Sequence, residues 1–421
     1  DVVSMKLKAE ASIPAKQQDT NVILFWLSGG PGHMETWDPK PDAPADYRGP
    51  FQSIATSLTD VRFGELMPEQ AKLAEHLAVL RTVNHGSGDH TKGNHWMLTG
   101  FEGPAFNAPD NRVQRRPSMG SAASFLRGAN QAGMPPYVGV PHLKGGTDNL
   151  FCYSSNIGGG SNPFIVNSDP NTSSFSVHNL TLTKGLSFDR LQNRRQLLGS
   201  LDTLPHAHEK MILDVDEHQQ KAFELLNSKG VRSAFDISAE PAALRDSYGR
   251  HTFGQSALLA RRLIEHGVTF VTVNCVPWDH HGSAGRYKTE EGARKLIPPL
   301  DAAIAGLIRD LMDRGLYEKT LVVAMGEFGR TPRMNIHGGR DHWGRTFSVL
   351  MGCGGMQMGQ VIGRSSRYGE TVVERPISPQ DVAATIYRHL GIDPQKVMLQ
   401  DRLDRPLPLL DDGEAVSELF A

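Results

Sequence analysis

QSALLARRLIEHGVTFVTVNCVPWDHHGS, residues 255–283, holds the pattern that decides the fold. Its first half reads as an amphipathic helix closed by Gly267. VTFVTVN (268–274) follows, an apolar run without polar alternation, as expected of a strand covered on both faces. Runs of the same kind recur at VILFWLS (22–28), HLAVLRTV (76–83), TLVVAMG (320–326) and FSVLMG (347–352). Between 268–274 and 320–326, Leu300, Ile304, Leu307 and Leu311 recur at helical spacing, and Gly315 suits a C-cap. Helix, strand, helix, strand in this order predicts a parallel α/β sheet.

The chain of 421 residues is 39% hydrophobic, enough for one large domain or two ordinary ones. A formal net charge of -2, with no basic stripe, argues against a nucleic-acid partner. Apolar runs such as NVILFWLSGG are far too short to span a bilayer, so no transmembrane segment is expected. Cys152, Cys275 and Cys353 are too few for a disulfide framework and fit no zinc knuckle. The 43 glycines and 26 prolines predict many loops around short strands, and functional groups are often carried on such loops.

Residues 103–175 differ from the rest. They are rich in Gly, Pro, Asn and Ser and show no sustained period, so they read as a long loop-rich excursion from the sheet. Helical stretches follow, FDRLQNRRQLLGSLDTL and HEKMILDVDEHQQKAFELLNS. With no internal repeat and no clear linker, the expectation is a single domain over 1–421 with this insertion.

Ligands of open α/β sheets bind beyond the carboxyl ends of the strands. After 22–28 come His33, Glu35 and Asp38. After 76–83 come His85, Asp89, His90, Thr91 and His95. After 268–274 come Asp279, His280 and His281. After 320–326 come Glu327 and Arg330. Asp341 and His342 precede 347–352. Imidazole and carboxylate together are the composition of a divalent-metal site, for zinc, manganese or calcium, as one ion or two. Each cluster alone has a plainer reading. A lone loop His is more often a surface or capping residue, and Asp38 before Pro39 suits a turn. Glu327 and Arg330 suit a local ion pair, and Trp278 and Trp343 suit core packing. His251, His266 and His337 are assigned to structure or surface. The joint pattern carries the weight.

The segments GGPGHMETWDPKP, HWMLTG, WDHHGS, MGEFGRTPRMN and GRDHW, in this order, resemble the bacterial family labelled domain of unknown function 1501. SNPF (161–164) and RPISPQDVAATIYRHLGIDP (375–394) fit as well. That family is grouped with the alkaline phosphatase and sulfatase superfamily. The resemblance implies an α/β sandwich with a mostly parallel central sheet and helices on both faces. It also implies metal-dependent hydrolysis of phosphate or sulfate esters, acting on a small-molecule or glycan anionic ester. HTKGNHWMLTG is similar to the sulfatase stretch in which a nucleophile opens a helix ending in L-T-G. That position falls on His90, with Thr91 beside it, where the superfamily has Cys, Ser or Thr. The resemblance gives Asp279, His281 and His342 as metal ligands, and Glu327 in place of a ligand pair, with Phe328 replacing its neighbour. Asp341 is a further ligand or a partner that fixes an imidazole. The metal-binding Asp of the first strand is replaced by Ser28-Gly29-Gly30, so His33, Glu35 or Asp38 must substitute. In this scheme Arg330 pairs with the anionic group, and His90 is a general base or covalent acceptor. Export to the periplasm or the exterior is expected, both from the family and from a start without Met. These departures leave two other readings: a secreted, non-catalytic binding or scaffold protein with a degenerate metal site, and a metal-dependent phosphoryl mutase or transferase.

Overall fold

The computed structural model describes residues 19–144, 151–177, 228–401 and 405–420. Eight strands form the central sheet: β1 (Asn21–Leu27), β2 (Ala78–Val83), β3 (Tyr137–Val140), β4 (Phe164–Ile165), β5 (Phe270–Cys275), β6 (Thr320–Met325), β7 (Phe347–Gly352) and β8 (Gln360–Ile362). Their spatial order is β8-β2-β7-β6-β1-β5-β3-β4. β1 runs parallel to β5 and β6, β3 to β4 and β5, and β8 to β2. β7 runs against both of its neighbours, β2 and β6.

All seven residues of β1 are buried, and their alternation splits them between two cores. Ile23, Phe25 and Leu27 join the core beneath α3 (Thr252–Glu265) and α4 (Thr289–Asp313). Val22, Leu24 and Trp26 face the core of α1 (His90–Thr99), α2 (Met119–Arg127) and α5 (Pro379–His389). Helices on both faces explain why the central strands read as unbroken apolar runs. Truncating one of these side chains, for example Leu24→Ala, costs about 2–5 kcal/mol through lost burial and the cavity left behind. The helix starts are written locally. Ser378 and Asp381 form a capping box ahead of α5, and the Asp89 carboxylate accepts the Thr91 and Lys92 backbone N–H groups at the start of α1.

The sheet is mostly parallel, with helices on both faces, as the resemblance implies. The one reversed strand has a functional consequence. Residues after β1, β2, β5 and β6 all emerge at one edge. Because β7 runs the other way, the residues that precede it, Asp341 and His342, reach that same edge.

Residues 103–175, expected to leave the sheet, return to it through α2, β3 and β4. Tyr137–Val140 and Phe164–Ile165 are too short to show a period, and prolines at 135, 136 and 141 bound the former. The helical stretches expected between 188 and 227 lie outside the described residues.

Candidate metal centre

Four loops meet at the carboxyl edge, and two glycines let them close. Gly29 (φ 109°) and Gly30 (φ 82°) turn the chain sharply after β1. A Cβ on Gly29 would sit 2.7 Å from the Asp279 backbone nitrogen and 2.8 Å from the Trp278 carbonyl carbon. Gly29 is thus where the loop after β5 packs against the turn after β1. Trp278 N–H donates to Ser28 O at 2.8 Å and holds the two loops together. α1 is as close on the other side, since a Cβ on Gly93 would lie 2.8 Å from the Glu327 carbonyl oxygen. His342–Trp343 pairs antiparallel with Gly329–Arg330 and fixes the last loop.

Among the described residues, His90, Asp279 and His342 offer ligand atoms that all lie within 4.8 Å of one another. His281 adds a fourth group. Its Nε2 is 2.7 Å from Asp279 Oδ1 and 2.9 Å from His342 Nε2. The other imidazoles approach the same oxygen, His342 Nε2 at 3.3 Å and His90 Nε2 at 3.8 Å. In each ring the opposite nitrogen is bonded to an oxygen. His90 Nδ1 meets Glu327 Oε1 at 2.7 Å, His281 Nδ1 meets Asp341 Oδ1 at 3.0 Å, and His342 Nδ1 meets Gly88 O at 2.8 Å. A Nδ1–H spent on an oxygen leaves Nε2 as the lone-pair atom. Three such atoms face one carboxylate, which is how metal-ligating histidines are oriented. Phe328 supplies an apolar wall, stacking on His342 with ring centroids 4.5 Å apart.

Two acceptor nitrogens 2.9 Å apart repel unless a proton or a cation lies between them. The hydrogen bond with Asp279 raises the pKa of His281 against the effect of burial, whereas burial chiefly lowers that of His342. Burial alone would raise the Asp279 carboxyl; His281, His342 and Arg330 override it and hold it well below the usual carboxylate range. Glu327 Oε1 also accepts the Gly29 N–H at 2.8 Å, while its buried Oε2 has no hydrogen-bond partner among the described residues. Convergent lone pairs, orienting oxygens and an orphaned carboxylate oxygen fit a divalent cation.

The other sequence-predicted residues fall elsewhere. Asp341 is more than half exposed and bonds His281 rather than His342. Thr91, second in α1, is 5% exposed, and its backbone N–H is held by the Asp89 carboxylate. Arg330 is buried. It donates to Gly30 O at 2.9 Å, to Trp278 O and Arg340 O at 3.1 Å, and to Asp279 Oδ1 at 2.8 Å, and it also bonds Gly29 O. It therefore pins the loops together and pairs with Asp279, not with Glu327, and it does not reach out to an anion. His33 is not brought to the cluster: its Nε2 meets Gly369 O at 3.0 Å, and burial lowers its pKa to about 4. Glu35 pairs with Arg340 at 2.7 Å, and Asp38 pairs with Lys40 and Arg81. Each of these acids is thus matched by an arginine distant in sequence, and Asp38 also by its neighbour Lys40. His95 is spent on a loop, with Nδ1 on Phe101 O at 2.7 Å and Nε2 accepting the Arg115 N–H at 3.1 Å. Sequence reasoning missed Arg286, whose Nε stands 3.4 Å from Asp279 Oδ2 and is partly open to solvent. Only a lone Arg a few residues after WDHH could have marked it.

Fold and site define an α/β sandwich with a His/Asp candidate metal centre at the carboxyl edge of its sheet. The chain belongs to the family described as "Protein of unknown function (DUF1501)", which it matches over residues 19–420. No curated protein matches it in sequence. Similar solved structures include the PsFucS1 sulfatase from Pseudoalteromonas sp., at 14% identity and a TM-score of 0.41, covering 93% of this chain and 72% of that one. The phosphonate monoester hydrolase of Agrobacterium radiobacter is similar at 14% identity and a TM-score of 0.38, covering 95% and 77%. The lipoteichoic acid synthase LtaP from Listeria monocytogenes is similar at 8% identity and a TM-score of 0.39, covering 92% and 78%. Scores this low leave the chemistry of the site to its own residues. Among the described residues no helix is long and apolar enough to cross a membrane.

Proposed function

We propose that this chain is a metal-dependent hydrolase of phosphate or sulfate esters. The observation that carries this reading is the convergence of three imidazole Nε2 atoms on Asp279 Oδ1, each ring fixed by an oxygen at Nδ1. Asp279, His281 and His342 would hold the ion. This nitrogen-rich set favours zinc or manganese over calcium, which takes oxygen ligands. A divalent cation there supplies Lewis-acid charge to a non-bridging ester oxygen and acidifies a water.

The chain's own groups do the rest. Glu327 accepts the His90 Nδ1–H and stabilises the imidazolium when Nε2 takes a proton from the attacking water. The water oxygen bonds phosphorus or sulfur, the ester O–P or O–S bond breaks, and His90 returns the proton to the leaving alcohol oxygen. Arg286 at the rim faces the anionic head, while buried Arg330 keeps the loops in register. One observation favours a non-catalytic, metal-stabilised binding protein instead: Arg330 sets a permanent positive charge 2.8 Å from a ligand oxygen, which weakens cation binding.

The test is turnover of aryl sulfates, aryl phosphates and phosphonate monoesters by zinc- and manganese-loaded protein, with a folded His90→Gln variant beside it. The hydrolase reading expects at least one ester to turn over and the variant to lose roughly a hundredfold or more in kcat. Full metal loading with no turnover of any ester leaves the binding-protein reading. A phosphoryl group trapped on His90 or Thr91 marks a transferase.

A further inference from the structure

A cavity of about 630 Å³ opens at the carboxyl ends of β3, β4 and β5, on the same edge as the metal centre. Asn274 and Val276 line it, and the chain runs straight on to Asp279. Nothing in the metal centre uses it, yet it has the features of a built site. Asn274 is 2% exposed. Its Nδ2 donates to Lys144 O at 2.8 Å, which fixes the amide's orientation. Its Oδ1 is left buried, with no hydrogen-bond partner among the described residues. An unmet buried acceptor costs free energy until something donates to it.

The remaining lining narrows the ligand. Asp169 is held rigidly, with Oδ2 accepting the Thr252 hydroxyl at 2.6 Å and Oδ1 accepting the Asn171 N–H at 2.9 Å. His142 Nδ1 accepts the Lys144 N–H at 3.3 Å, so its Nε2 carries the proton in the neutral ring. Lys144 is exposed, and Phe253, itself 8% exposed, adds a small apolar patch. An anion would meet the Asn274 oxygen and the Asp169 carboxylate. A cation would meet Lys144. A neutral group rich in hydroxyls can donate to Asn274 and Asp169, accept from His142 and Lys144, and set its C–H groups against the small apolar patch of Phe253.

We infer that this cavity binds a sugar ring, the neutral hydroxyl-bearing part of a substrate whose charged ester sits at the neighbouring metal centre. The cavity's place in catalysis rests on the hydrolase reading; the binding of a sugar does not.

Saturation-transfer NMR tests it with glucose, galactose, mannose, fucose, N-acetylglucosamine and lactose, each at about 10 mM, with sulfate as a competitor. The full chain is compared with Asn274→Leu, Lys144→Ala and His342→Ala. Lys144 is exposed, so its variant keeps the test open if Asn274→Leu does not fold. The expected result is at least one sugar bound equally by the parent and by His342→Ala, unaffected by sulfate, and weakened roughly tenfold or more by Lys144→Ala or by a folded Asn274→Leu. No bound sugar, binding unchanged by the folded cavity variants, or displacement by sulfate overturns the inference. Sugar binding in a chain that holds no metal and turns over no ester would sink the hydrolase reading and leave this one standing.

Discussion

His95 and His342 both come from polar clusters at the same edge of the sheet, and they do opposite things. His95 spends both ring nitrogens on the loop that follows α1, accepting at one and donating at the other, and is completely buried. His342 spends one nitrogen on Gly88 O and turns the other toward Asp279 and His281. His90 and His281 follow the pattern of His342. Residue type and neighbourhood do not separate a structural histidine from a ligand. The destination of the second nitrogen does.

That contrast can be broken by mutation, and the largest effect is expected at His342. His342→Ala removes a ligand and should lower kcat/KM roughly a thousandfold, about 4 kcal/mol, with metal lost from the folded protein. The buried histidines should show themselves through pH instead. Burial lowers the pKa of His389 from 6.5 to about 4. Its folded-state pKa lies below its unfolded one, so its contribution is intact above pH 6.5 and is lost as pH falls through about 4. The loss is up to about 3 kcal/mol. Urea midpoints should therefore drop between pH 7 and pH 5, and His389→Gln should flatten that slope.

Smaller changes sharpen the comparison. Asp341→Asn weakens the oxygen that orients His281 and should cost roughly 10–100-fold in metal affinity while leaving the fold unchanged, measured by competition with a chelator. His95→Ala should show the reverse: a stability loss of about 1–3 kcal/mol from unmet backbone groups, with metal content per folded chain unchanged. If His95→Ala empties the site, or Asp341→Asn leaves affinity untouched, the division between the two kinds of histidine fails.

Much of this was legible in the sequence. The central strands are covered on both faces, so their apolar runs stand out, and observed ends fall within about two residues of those expected. The polar groups at the strand ends formed a broad set of candidates, from which the family resemblance singled out Asp279, His281, Glu327 and His342 with His90 beside them, and these five lie together in the structure. The direction of β7 was not legible, because pairing partners lie far apart in sequence. It is also what lets a residue before a strand meet residues after other strands. His33 was misjudged for a similar reason. The acids of its loop are matched by Arg340 and Arg81, cations no local pattern reveals. Arg330 looked like an anion clamp, but five close acceptors hold it inside. The short strands β3, β4 and β8 lack enough residues for a period, so the cavity beyond β3 and β4 left no trace in the pattern.

The central claim is that Asp279, His281 and His342 form a metal centre, with His90 beside it. Elemental mass spectrometry of the purified protein, with His342→Ala and His95→Ala measured in parallel, tests it most directly. The account predicts stoichiometric zinc or manganese in the parent, the same in His95→Ala, and loss in His342→Ala. A parent without metal after loading with zinc, manganese and calcium, or a His342→Ala variant that keeps its full complement, would contradict it.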